Sequence, residues 1–175
     1  MNMMDDKSEI ERYFEKLGIS RSIIEEKKLS LWMPPDELVE IKGKEADRCY
    51  LLDPNAAKAW FDMQESAEKD GVQLYVISTY RSISYQADII KRKLERGQEI
   101  KEILKVSAPP GYSEHHSGRA IDVGTSGYTD LEVDFESSGA FEWLSRHAAN
   151  FNFSLSFPRN NVHGYSYEPW HWLFS

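Results

Sequence analysis

Ser113-Glu114-His115-His116-Ser117-Gly118-Arg119-Ala120-Ile121-Asp122 lies past the middle of this chain, and Glu168-Pro169-Trp170-His171 lies almost at its end. For both to serve one site, the C-terminal segment must fold back beside the central one. No other feature constrains the fold as tightly. Two imidazoles, His115 and His171, and one carboxylate, Asp122, make a sufficient ligand set for a catalytic zinc, which uses three protein ligands and keeps its fourth position for water. Glu168 is close in sequence to one of those ligands and is suited to take a proton from such a water.

The local spacing adds detail. Gly118, Ala120 and Asp122 alternate, so on a strand they share one face, and the small residues beside Asp122 leave room for a metal and a substrate backbone. His115 precedes that strand, on the turn entered after Gly111. Glu168 and His171 are three apart, and a regular strand directs such residues to opposite faces. Pro169 is therefore expected to mark a bend that lets both face the metal, which then ties the sheet together as well as serving catalysis.

The pattern Ser-x-His-x-x-Gly-x-Ala-x-Asp, followed by Glu-x-Trp-His, resembles that of the VanY-type zinc D-alanyl-D-alanine carboxypeptidases, a group that takes in D-Ala-D-Ala dipeptidases and phage peptidoglycan endopeptidases. Ser113, His115, Gly118, Ala120, Asp122, Glu168, Trp170 and His171 carry the match. Ser78-Thr79-Tyr80-Arg81-Ser82, with Gln86 after it, resembles the Tyr-Arg-Ser segment of the same family. The resemblance implies one zinc ion per chain held by His115, Asp122 and His171, with Glu168 as catalytic base and Arg81 contacting the substrate. Arg81 then stabilises an oxyanion or grips a peptide carboxylate. Tyr80, Gln86 and Ser113 are expected as supporting polar contacts and Trp170 as a wall of the substrate pocket. The implied partner is a peptidoglycan stem peptide or its precursor, losing its terminal D-alanine. Alternatives within the same chemistry are an endopeptidase cutting inside the stem and a D-Ala-D-Ala dipeptidase. A different class is a non-catalytic, zinc-stabilised binding domain.

Composition narrows the partners. The 175 residues suit one domain with its own core, and 41% hydrophobic with 13% aromatic residues is a globular composition. A formal net charge of −8, from 29 acidic against 21 basic residues, argues against a nucleic acid, which needs a basic face. No apolar run is long enough to span a bilayer. Met1 to Lys7 lacks the apolar stretch of a secretory signal, so the expectation is a cytosolic protein, or one whose export signal lies outside this sequence. Cys49 is the sole cysteine, which excludes an internal disulfide and a thiolate zinc site.

The pattern along the chain predicts an α+β fold in a single domain: a small, mainly antiparallel sheet flanked by helices, with the zinc site at the sheet, as the resemblance to hedgehog-like D,D-peptidases implies. Residues 1–52 are expected as a helical segment without a motif and residues 53–175 as the catalytic core. Ser8 to Glu11 reads as a capping box opening a helix that Gly18 stops. Ala56, Trp60, Met63 and Ala67 form an apolar stripe on a helix over about 55–69. Val72 to Ile77 reads as a strand, about 84–96 as a helix, Ser137 or Ser138 as the start of a further helix, and 153–157 and 170–174 as closing strands. His147 and His163 read as structural or surface residues, and the run Lys91-Arg92-Lys93 as a solvated helix face.

Overall fold

Asp53 opens the longest helix among the described residues. Its carboxylate accepts from the backbone N–H groups of Asn55 and Ala56, and Pro54 occupies the first helical position, where a missing N–H costs nothing. The computed structural model describes residues 3–175, with side chains from Lys7 onward; the first residues read for a secretory signal lie outside the described set. In chain order the elements are α1 (Met3–Leu17), α2 (Ser22–Glu26), β1 (Val39–Ile41), β2 (Tyr50–Leu52), α3 (Pro54–Lys69), β3 (Tyr75–Ser78), α4 (Ile83–Glu95), α5 (Ile100–Ile103), β4 (Ala120–Gly124), α6 (Gly139–His147), β5 (Phe153–Leu155) and β6 (His171–Phe174). A 3-10 turn over Glu114–Ser117 leads towards β4.

One sheet runs β3-β4-β6-β5 with every neighbouring pair antiparallel, and β1 pairs with β2 as a separate ribbon. On one face of the larger sheet, Ile121 and Val123 of β4 and Trp172 of β6 enter the main core with Trp60, Met63 and Leu144. The stripe expected on α3 is what reaches this core: Ala56, Trp60, Met63 and Ala67 are all fully buried. Burying Trp60 and Met63 contributes roughly 1.5–3 kcal/mol each. A second core joins Ile10, Phe14 and Leu17 of α1 to Ile83, Ala87 and Ile90 of α4 and Ile103 of α5. The N-terminal segment thus buttresses the helix that follows the Tyr-Arg-Ser segment. No helix among the described residues is long and apolar enough to cross a membrane.

The expected α+β architecture is the one found, with local differences. α1 begins upstream of Ser8, so that serine sits within the helix rather than capping it. Val72 to Leu74 do not join the sheet. The Val72 N–H caps α3 by donating to the Ala67 carbonyl, and the Leu74 carbonyl accepts from Gln64 Nε2, so β3 starts at Tyr75. Gly118 is not on β4; it is left-handed, with φ +68°, and closes the preceding turn. β1 was not foreseen: three residues between turns give no periodicity to read.

Candidate metal centre and active site

Asp122 and His171 are direct partners across the antiparallel pairing of β4 and β6. Side chains facing each other in this way lie on the same side of the sheet with Cβ atoms roughly 4.5–5.5 Å apart. Register therefore joins residues from distant parts of the chain, on the face opposite Ile121 and Trp172. His115 arrives from the 3-10 turn before β4. The nearest ligand atoms of His115, Asp122 and His171 lie within 4.8 Å of one another, and all three residues are buried. The imidazole rings meet edge to face, 4.9 Å between centroids, and Phe157 packs at 4.7 Å on His171.

The hydrogen bonds around this group orient its lone pairs. His115 Nδ1 lies 2.7 Å from the Thr79 carbonyl, which can only accept, so Nδ1 carries the proton. His115 Nε2 then presents a bare lone pair 3.2 Å from Asp122 Oδ2. Burial lowers the His115 pKa, and Asp122 only partly opposes that, so this imidazole is held neutral. Burial works against the Asp122 charge as well, but His115 and His171 outweigh it and hold the carboxyl well below the usual range. A neutral nitrogen and an ionised oxygen thus face each other as two acceptors. His171 directs Nε2 to Glu114 Oε2 at 2.9 Å and Nδ1 to Asp122 Oδ1 at 3.0 Å. Burial again opposes the charged form, but the two carboxylates raise the His171 pKa to about 10. Two nitrogens and one oxygen gathered within 4.8 Å suit a zinc ion, which would displace the His171 proton now held by Asp122 while Glu114 keeps the other.

The remaining expected residues separate into two groups. Glu168 and Trp170 line a cavity of about 630 Å³ together with the three ligand candidates, Arg81 and Ser113. The bend expected at Pro169 is present: the His171 N–H donates to the Glu168 carbonyl at 3.2 Å, a turn that leads straight into β6. Burial raises the Glu168 carboxyl to about 7, with His171 pulling it down and Asp122 pushing it up. Arg81 lies just past β3, its Nη2 4.0 Å from Asp122 Oδ2. Gln86 is fully buried and does not reach the cavity wall. Its Oε1 accepts from Arg81 Nη1 at 2.8 Å while its Nε2 donates to the Ala108 carbonyl at 2.7 Å, so it holds the Arg81 guanidinium in place. Tyr80 is also outside the cavity wall; its backbone N–H donates to Leu51.

Three residues have roles that their sequence context concealed. Glu114 bonds His171 and accepts from the Ser156 hydroxyl at 2.6 Å, and this hydrogen bonding to His171 outweighs burial to lower its pKa. His116, adjacent to a ligand, is fully buried and accepts from the Gly111 N–H at Nε2 while Nδ1 faces the Arg81 carbonyl at 2.6 Å. It fixes the backbone of Arg81 to the turn before the motif. Lys93 was expected on a solvated helix face. Lys91 and Arg92 are indeed exposed, but Lys93 is half-buried and lines the cavity. His147 is structural as expected, stacked on Trp143 at 4.8 Å, and His163 bonds the Lys27 carbonyl at 2.9 Å.

This fold and this site define an α+β domain with a buried His-Asp-His group that could hold a metal, and comparison with known proteins gives the class a name. Residues 50–175 match the family model of VanY, D-alanyl-D-alanine carboxypeptidase, and the chain belongs to that family. A D-alanyl-D-alanine carboxypeptidase of Enterococcus faecium is 32% identical over 139 residues, covering 78% of this chain and 41% of that enzyme. The chain spans about half the length of the curated relatives it matches. Among solved structures, the LdcB LD-carboxypeptidase superposes with a TM-score of 0.71 at 29% identity, covering 81% of this chain and 69% of that one. The vancomycin-resistance D,D-pentapeptidase VanY, solved in complex with Zn(II), shares the fold with a TM-score of 0.60 at 23% identity, covering 82% of this chain and 86% of that one.

Proposed function

We propose that this chain is a zinc metallopeptidase acting on peptidoglycan stem peptides or their precursors and removing the terminal D-alanine. The observation that carries this reading is the convergence of His115, Asp122 and His171 within 4.8 Å beside a half-buried carboxylate, Glu168, on one cavity. In this reading residues 53–175 form the catalytic core. His115, His171 and Asp122 would hold the metal, which would supply a Lewis acid and a water whose pKa is lowered towards ~7.

The protein's own groups do the rest. Glu168 accepts a proton from the attacking water at its carboxylate and delivers it to the leaving amine nitrogen. Its raised pKa of about 7 suits both halves of that task near neutrality. Arg81, held by Gln86, directs its guanidinium towards the place where the carbonyl oxygen gains charge. Trp170 and Ser113 wall the cavity that receives the peptide.

An L,D-carboxypeptidase acting on a tetrapeptide stem is the second reading, favoured by the 0.71 TM-score to LdcB. Mass spectrometry of pentapeptide and tetrapeptide stems, with and without a chelator, separates the two. Chelator-sensitive loss of one alanine from the pentapeptide is the expected result, and loss from the tetrapeptide alone selects the second reading. Glu168→Gln should keep the metal and lose turnover by roughly 10²–10⁴-fold. Undiminished turnover in that variant would remove Glu168 as the base. An inactive wild type that still binds zinc would favour a non-catalytic binding domain.

A further inference from the structure

Lys93 stands in the last turn of α4, and its side chain forms part of the cavity wall that also holds Arg81 and Glu168. Its Nζ donates to Ser107 Oγ at 2.8 Å. An ammonium has three N–H donors, and this neutral hydroxyl takes one. Among the described residues no carboxylate lies within 4.0 Å of it, whereas its neighbour Lys91 pairs with Glu95. Burial lowers the Lys93 pKa and Arg81 lowers it further, with Glu168 the opposing influence. A half-buried cation lacking a counter-ion is unfavourable on its own and attracts an anionic ligand.

The rest of the wall says which way an anion must point. Arg81 is already tied to Gln86 Oε1 and Ser78 Oγ and faces Asp122. His171 is enclosed between Glu114 and Asp122, and the remaining charged groups of the cavity are carboxylates: those two with Glu132 and Glu168. Away from the candidate metal group, a substrate carboxylate is repelled except along the side where Arg81, just before α4, and Lys93, in its last turn, line the wall. Among the described residues, Lys93 is therefore the cation of this wall that no protein carboxylate pairs.

We propose that the Lys93 ammonium, seated on Ser107, binds a carboxylate of the peptide substrate and acts as a specificity-determining residue. It selects peptides whose carboxylate lies a fixed distance from the bond cut beside Glu168. The assignment rests on the peptidase reading above and narrows it to substrates with a free carboxylate near that bond. Two carboxylates of a stem peptide share this chemistry: the one at its C-terminus and an internal one on a side chain.

The test compares zinc-loaded wild type, Lys93→Gln and Lys93→Arg on three peptides: a pentapeptide stem ending in D-Ala-D-Ala, its C-terminal amide, and a form with the internal carboxylate amidated. Lys93→Gln should raise KM for the free acid roughly 10- to 100-fold, the range of a charge-assisted contact, with kcat little moved. Lys93→Arg should restore part of it. The amide that abolishes the difference between wild type and variant identifies which carboxylate is bound. A variant that loses equally on all three peptides overturns the proposal, because a merely structural lysine acts on every substrate alike, and so does an unchanged KM. Binding is read separately from intrinsic fluorescence, to which Trp170 in the cavity wall contributes, in protein carrying Glu168→Gln. Carboxylate-dependent binding that needs Lys93, without turnover by the wild type, fails the peptidase reading and keeps the carboxylate seat. Absence of binding by all three peptides overturns the seat.

Discussion

Glu114 illustrates how a side chain two bonds from the chemistry can set it. A histidine that ligates a metal through one nitrogen needs its proton on the other, and the acceptor that holds this proton also fixes the ring. Glu114 is placed to do this for His171 in the proposed site and is itself steadied by Ser156. Glu114→Gln should therefore weaken zinc binding by roughly 10- to 100-fold while leaving the three ligands in place. Competition with a chromophoric chelator measures this directly, and equal affinity in the two proteins would deny Glu114 the role. His116 gives a second test at this scale. Its Nε2 accepts the Gly111 N–H, so protonation there would set two donors against each other. Burial depresses its pKa to about 4, against an ordinary value of roughly 6.5. The unfolded chain binds this proton first as pH falls, so stability is complete above about 6.5 and is lost progressively between there and about 4. An NMR titration of zinc-loaded protein should find the His116 ring neutral until near pH 4; protonation near 6.5 would contradict the argument. The three ligand candidates were legible in the sequence because their types and spacing are unusual, and the fold brings them within 4.8 Å of one another. Glu114, His116 and Lys93 were not. Their importance comes from partners on other segments, and a glutamate, a histidine or a lysine beside a motif carries no local mark of them.

At the scale of elements, the helix after Asp53 was readable almost to its ends. A cap, a proline and a fully apolar stripe all say the same thing there. The shortest strands were not readable, since three residues of sheet carry too little periodicity. The Glu168–His171 bend was legible because geometry demanded it: proline and a three-residue spacing cannot lie on one flat strand. What the spacing did not reveal was the break at Gly118. With φ +68°, this residue ends the 3-10 turn carrying His115 and lets its carbonyl accept from the Asp53 N–H at 2.8 Å. A Cβ at this position would stand 2.8 Å from Leu38 Cδ2 and 3.1 Å from the Asp53 nitrogen. The leucine end can shift, but the backbone nitrogen that opens α3 cannot do so without cost. Gly118→Ala should thus lose about 2–4 kcal/mol of stability, from the left-handed backbone and the close approach together. Urea unfolding measures it; a loss below about 1 kcal/mol, the ordinary effect of a point substitution, would mean that the turn relaxes without strain.

The whole molecule depends on a group of charges placed inside it. Asp122, Glu114 and His171 sit between the sheet and the cavity, and His115 adds a neutral nitrogen aimed at a carboxylate. Without a cation, this arrangement retains facing acceptors in a buried place, which costs free energy. A cation shared by His115, Asp122 and His171 would hold β4, β6 and the turn before β4 at a single point and clamp the central strands of the sheet together. The unfolded chain has no such preformed site, and metal affinity therefore appears as stability. At a free zinc concentration 100 times the dissociation constant, the gain is about 2.7 kcal/mol. For a chain of this size each kcal/mol shifts Tm by roughly 2–4 °C, so removing zinc should lower Tm by about 5–10 °C. The effect should fall off in the Glu114→Gln protein at a fixed, limiting zinc concentration, since the same linkage carries its weaker affinity into stability. It should persist in Glu168→Gln, whose carboxylate lines the cavity but is not needed to hold the ion. Differential scanning calorimetry with and without a chelator, across these three proteins, separates the clamp from the catalyst. A Tm indifferent to chelation in all of them would mean that His115, Asp122 and His171 do not share a metal at all.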